Sequence, residues 1–127
     1  MHIPDDLRYS TDHEWVRVVD DSTITVGVTD YAQDALGDVV FVELPEVGAS
    51  LDSGASFGEV ESTKSVSDLF APVSGTVATV NDLLSENPEK INEDPYGDGW
   101  ICTLTIADKS QLENLLDAAA YATLLEG

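Results

Sequence analysis

Basic residues are scarce in this chain: 127 residues carry 5 Lys and Arg against 25 Asp and Glu, a formal net charge of -20. Such a surface repels phosphate backbones and anionic headgroups, so nucleic-acid and membrane-surface binding are disfavoured. The single cysteine, Cys102, excludes an internal disulfide and agrees with a reducing compartment. On an alternating apolar strand it reads as a small buried hydrophobe. With only His2 and His13, no Cys-x-x-Cys pair and no glycine-rich phosphate loop, metal and nucleotide chemistry have little to stand on. No apolar run approaches the length of a membrane span, and the N-terminus lacks a basic region followed by an apolar stretch. A soluble protein made without an export signal is expected. A prokaryotic cytoplasm fits best, and a mature mitochondrial form would look the same.

What is present is a chain of one-domain length with 43% hydrophobic residues, enough for a modest core. Glu14–Val19 and Thr23–Val28 read as two strands joined at Asp20-Asp21-Ser22, the second with the period-2 pattern of a half-buried strand. Asp30 and Gln33 have the N-cap and N3 residue types of a capping box, and Gly37 stands where a helix would stop, so a helix is expected over 30–36. Gly-x-Val-x-x-Val occurs at Gly37 and again at Gly75, an echo suggesting two similar β halves face to face. Glycines 48 and 54 suit tight corners. The stretch 81–99 reads as loop, and 100–106 as a strand placing Trp100, Cys102, Leu104 and Ile106 on one face. A capping box at Ser110 to Glu113 opens a helix with Leu112, Leu115, Leu116 and Ala119 as a packing stripe. Tyr121, Leu124 and Leu125 either continue it or start a second helix after a bend.

The least ordinary stretch is Phe57–Gly75. Lys64 is the only basic residue between Arg17 and Lys90, flanked by Ser62, Thr63, Ser65 and Ser67 inside strand-like sequence. Two short strands meeting near Lys64 would put it on an exposed hairpin tip. One explanation is a solvated lysine pairing with Glu61 or Asp68, worth roughly 0 to 1 kcal/mol. The other is an attachment point, where a flexible stem and a nucleophilic nitrogen matter more than charge. Carboxylate pairs such as Glu43/Glu46 and Glu59/Glu61 are available for acid–base work, but nothing singles one out.

Glu61-Ser62-Thr63-Lys64-Ser65-Val66-Ser67-Asp68 with Ala71-Pro72-Val73-Ser74-Gly75 resembles the lysine hairpin of lipoyl carriers, in the form of the glycine cleavage system H-protein family. His13–Val16, Val28–Gln33, Leu36–Pro45 and Asn92–Trp100 resemble H-protein segments in the same order, so the likeness covers nearly the whole chain. It implies a mainly β, lipoyl-domain-like barrel-sandwich hybrid of two small antiparallel sheets, with a short internal helix and a C-terminal helix or helices. The chain would be a single domain over 1–127, with a β core over about 23–106, a helical segment over about 110–125, and a monomeric state.

The resemblance also implies a carrier rather than an enzyme, with no catalytic or metal site. Lys64 would hold lipoate in amide linkage; Glu61, Ser62, Thr63, Ser65 and Asp68 would be the hairpin's recognition residues, and Glu14 a candidate for the cleft where the loaded arm docks. Implied partners are the pyridoxal-phosphate-dependent glycine decarboxylase, the tetrahydrofolate-dependent aminomethyltransferase, dihydrolipoyl dehydrogenase, and a lipoate ligase or lipoyl transferase. Biotin carriers usually flank the lysine with methionines, and lipoyl domains of 2-oxoacid dehydrogenases usually show Asp-Lys-Ala at the tip; Thr63 and Ser65 match neither. Thr63 and Phe70 stand where many H-proteins have valine and tyrosine. A lipoate relay to other complexes, or an unmodified binding module, remains open at this level.

Overall fold

A computed structural model describes residues 2–126 and builds them into two antiparallel sheets with short helices between. The larger sheet has six strands in the order β1 (Arg8–Tyr9), β2 (Glu14–Val18), β3 (Thr23–Val28), β9 (Cys102–Thr105), β8 (Gly75–Val80), β5 (Ser50–Leu51). The smaller has three, β4 (Val39–Glu43), β6 (Ser56–Ser62) and β7 (Val66–Phe70). Neither sheet closes on itself, and the two Gly-x-Val-x-x-Val segments fall one in each. Paired strands begin at Arg8, ahead of the expected start of the β core at 23. The N-terminal arm is therefore part of the larger sheet, and Leu7 and Tyr9 are buried.

Apolar residues from both sheets, among them Ile24, Val26, Val60, Leu69, Val77 and Leu104, meet in one core. Burying each such side chain stabilises the fold by about 1.5–3 kcal/mol. Cys102 lies fully buried among them, and burial pushes its thiol pKa up to about 12. A second cluster of Leu7, Tyr9, Trp15 and Tyr121 seals the outside of the larger sheet. Gly27 sits directly beneath the indole of its cross-strand partner Trp15: a Cβ there would be 2.5 Å from Trp15 Cε2.

Helix α1 (Asp30–Leu36) has the expected span but a different cap. Thr29, in extended conformation, is the N-cap, and its Oγ1 accepts from Ala32 N at 3.2 Å. Asp30 is already helical, and its carboxylate accepts from Gln33 Nε2 at 2.8 Å instead. Gly37 closes the helix at φ 83, a region costly for residues with a Cβ.

Within 81–99, expected as loop, the chain makes two single-turn helices, α2 (Leu83–Glu86) and α3 (Lys90–Glu93), which bury Leu84 and Ile91. Cys102, Leu104 and Ile106 face the main core as expected, whereas Trp100 packs on the second cluster and Ile101 enters the core in its stead.

The capping box expected at Ser110 is not used. Asp108 caps a 3-10 helix over Lys109–Asn114 by accepting from Ser110 N. That helix cannot run on, because Leu116 exchanges two 2.8 Å backbone bonds with Tyr9. A separate helix, α4 (Ala118–Glu126), then starts under Asp117, whose carboxylate accepts from Ala120 N. Of the expected packing stripe, Leu112 and Leu115 join the main core and Leu116 the second cluster, while Ala119 is exposed.

Candidate functional site

The β6–β7 hairpin places Lys64 at its tip, exposed. Ser62 makes the turn: its hydroxyl accepts from Ser65 N (3.0 Å) and Lys64 N (3.3 Å) and donates to Ser65 O (3.1 Å), while its backbone N donates to Ser65 O at 2.8 Å. A serine hydroxyl replacing missing turn hydrogen bonds is the local reason this polar sequence folds back on itself. The tip is also tied sideways, since Thr63 N donates to Asp38 O at 3.0 Å. That anchor is held in turn by Asn92, which accepts from Val39 N and donates to Gly37 O, both at 2.8 Å, and donates to Gln33 Oε1 at 3.1 Å. The Lys64 stem lies along Gly37, where a Cβ would come within 3.2 Å of Lys64 Cε. The expected pairing with Glu61 or Asp68 is not formed; among the described residues the ion pairs are Lys90–Glu93 and Lys109–Asp21.

On the three-stranded sheet, Phe41, Glu61 and Val66 stand opposite one another in one row, and Glu43, Glu59 and Asp68 two positions along, beyond the row of Val42, Val60 and Ser67. Phe41 and Val66 are about half exposed. Like charges directly opposed across strands work against the sheet. The Glu59 carboxyl is pushed above its usual value first by desolvation and then by Glu43, Asp68 and Glu61.

Beside the tip, between the free edge of β7 and α1, lies a cleft of about 310 Å³. Val28, Ala32, Leu36, Val60 and Leu69 contribute apolar wall, and Asp12, Glu14 and Asp68 bring carboxyl groups. Glu14 is almost wholly buried. Ser10 Oγ donates to its Oε1 at 2.6 Å, and Phe70 N donates to its Oε2 at 3.3 Å, so one side chain of the larger sheet holds the third strand of the smaller. Burial raises its pKa to about 7, with the two hydrogen bonds working the other way.

Thus, of the residues singled out from sequence, Glu14, Ser65 and Asp68 meet in one cleft, while Glu61, Ser62, Thr63 and Lys64 stand on the hairpin beside it. The Asn92 brace, Gly37 and a group around His13 were not singled out as site residues. His13 is the one non-glycine residue with positive φ among those described, at 70°. Its ring lines the cleft, lies 4.7 Å from the Tyr31 ring, and places Nδ1 2.8 Å from Tyr121 Oη. Sequence carries no signal for a contact spanning 108 positions.

An unclosed pair of antiparallel sheets that pins one polar hairpin tip beside an open cleft defines a class of small β proteins with a single braced, exposed tip. Residues 7–127 match the model of the family described as glycine cleavage H-protein. The chain is 60% identical over 129 residues to the glycine cleavage system H protein of Mycobacterium avium, with 98% of each chain covered. It is 58% identical to the probable glycine cleavage system H protein of Haloarcula marismortui, covering 98% of this chain and 97% of that one. A crystal structure of a glycine cleavage system H protein from Mycobacterium marinum superposes with a TM-score of 0.87 at 43% identity, covering 98% of this chain and 100% of that one. The chain belongs to the glycine cleavage H-protein family. Among the described residues no helix is long and apolar enough to cross a membrane.

Proposed function

We propose that this chain is a non-catalytic cytoplasmic carrier of glycine cleavage, bearing lipoate in amide linkage on Lys64. The observation that carries this reading is an exposed lysine without an ion-pair partner among the described residues, on a tip tied at both Ser62 and Asp38, beside a cleft large enough for a short aliphatic arm. The residues present fit the group. Gly37 leaves room along the lysine stem, the apolar cleft wall suits a hydrocarbon chain, and the Glu14 and Asp68 carboxyl groups suit an amine at its end.

When attached, lipoate supplies a dithiolane able to accept an aminomethyl group together with two electrons. Everything else is the chain's work. Ser62, Thr63 and Ser65 keep the tip narrow, and with Glu61 and Asp68 they form the surface offered to the attaching ligase or transferase. The rigid sheets fix the origin of the arm's sweep, which raises its effective concentration at each partner's site. The partners proposed are glycine decarboxylase as aminomethyl donor, the tetrahydrofolate-dependent aminomethyltransferase as acceptor, and dihydrolipoyl dehydrogenase for reoxidation. Between visits the cleft receives the loaded end and keeps water from it.

Intact mass and peptide mapping of protein from its native host test the assignment. A lipoyl-sized increment on Lys64 is expected. A biotin-sized increment, or none after incubation with lipoate and a competent ligase, overturns it. Lys64→Arg keeps the charge but is not acylated, so carriage is expected to vanish; retained turnover by that variant overturns the assignment equally.

A further inference from the structure

Tyr121 reaches from the C-terminal helix to the cleft wall, and its surroundings fix the direction of every proton it shares. Thr29 is fully buried, and its hydroxyl has two neighbours: Ala32 N, which only donates, and Tyr121 Oη at 2.8 Å. A buried hydroxyl proton without an acceptor is costly, so Thr29 donates to Tyr121. Tyr121 is also fully buried, and burial pushes its phenol up to about 12, so it stays protonated. Its own proton has one remaining acceptor, His13 Nδ1 at 2.8 Å.

The chain therefore runs Ala32 N–H to Thr29, Thr29 O–H to Tyr121, Tyr121 O–H to His13 Nδ1. His13 must carry its proton on Nε2. That nitrogen has no partner among the described residues, and no buried side-chain nitrogen or oxygen there lacks one, so Nε2 is open to solvent. An imidazolium would set a second donor against Tyr121 and strand the phenol proton. Burial lowers the His13 pKa in the same sense, against the pull of Asp12.

We propose that Tyr121 is a positioning residue of the cleft: it holds His13 as the neutral Nε2–H tautomer, so that a primary ammonium group docks among carboxylates with no cation opposing it. This rests on the reading that the loaded arm of Lys64 docks here. Among the described residues lining the cleft, His13 is the only one that takes a positive charge near neutral pH. Facing it are Asp12 and Glu14 from its own segment, Tyr31 from α1, Asp68 from β7 and Tyr121 from α4. The left-handed backbone at His13 brings its ring onto the same cleft as the adjacent Glu14 side chain, a strained conformation of the kind found where geometry serves a site.

Nitrogen-resolved NMR of the imidazoles in ¹⁵N-labelled protein tests this without any modification of Lys64, with His2 as the internal comparison. The expected wild-type spectrum shows His13 as the Nε2–H tautomer, staying neutral to a lower pH than an ordinary imidazole because burial disfavours its charged form. An Nδ1–H tautomer, or an imidazolium at neutral pH, overturns the proposal whether or not any variant folds. In Tyr121→Phe both tautomers are expected, with titration nearer the ordinary value; an unchanged His13 overturns it.

In lipoylated protein, with loading verified by mass, Tyr121→Phe is expected to lose its aminomethyl group as formaldehyde roughly three- to tenfold faster than wild type, the order expected of one like charge a few ångströms away in a water-filled cleft. The difference should appear below the His13 pKa of the variant and fade above it. Loss accelerated equally at every pH would mark a merely loosened cleft and overturn the positioning role. Failure of Lys64 to acquire lipoate, seen by mass, would instead overturn the carrier reading.

Discussion

Glu14 ties the two sheets together with a carboxyl group that water scarcely reaches, and this has a price as the solution is brought from acid to neutral. Its pKa is about 7 in the folded chain against 4.5 for a free glutamate. Because the folded value is the higher, its contribution to stability is complete below about 4.5 and disappears as pH rises through about 7, a difference of about 3 kcal/mol. Glu14→Gln keeps an acceptor for Ser10 or Phe70 but has nothing to ionise. Denaturant unfolding across that range should show wild type losing roughly this much relative to Glu14→Gln. Parallel curves for the two proteins would mean that Glu14 ionises in place without penalty. At this scale the sequence was informative about identity and silent about role: Glu14 is visible beside Trp15 in a recognisable segment, but its contacts with Ser10 and Phe70 exist only once the sheets are stacked.

Among elements, the β2–β3 pair shows how closely backbone approach and side-chain volume are matched. Trp15 covers Gly27: a Cβ there would lie 2.5 Å from the indole, and the indole is held in place by donating to Pro95 O at 2.9 Å. Gly27→Ala should destabilise the protein by about 1–3 kcal/mol through overpacking. Thermal unfolding followed by tryptophan fluorescence measures this, and an unshifted midpoint would mean that Trp15 repacks freely. The strands and α1 were legible because alternation and a glycine stop are local signals. The caps were not: Thr29 and Asp108 won over Asp30 and Ser110 because cap choice follows the conformation of the residue before the helix, which sequence pattern does not report. The C-terminal helix broke in two for a long-range reason, the bridge from Leu116 to Tyr9. The hairpin carrying Lys64 was read correctly from its residues. Its bracing by Asn92 lies at the end of contacts spanning 53 to 59 positions, invisible to any local rule.

For the whole molecule, charge is the dominant fact. With a net charge of -20 and, among the described residues, two exposed ion pairs to relieve it, folding concentrates like charge. Screening with a Debye length of about 10 Å at 0.1 M ionic strength should relieve this, so the melting temperature is expected to rise with added sodium chloride. A melting temperature indifferent to salt would mean that this like-charge repulsion does not limit stability.

The position of Cys102 acquires a meaning once a sulfur-bearing arm is considered. A swinging disulfide is itself an electrophile toward thiolates, and a carrier with an accessible cysteine would capture its own cargo site in a mixed disulfide. Here the only sulfhydryl of the chain lies in the interior strand β9, neutral at any physiological pH. On the proposed carrier reading, the fold thereby keeps the chain's thiol out of reach of the disulfide on Lys64. A thiol reagent such as dithionitrobenzoate should leave the native protein unlabelled and react fully once denaturant opens the core.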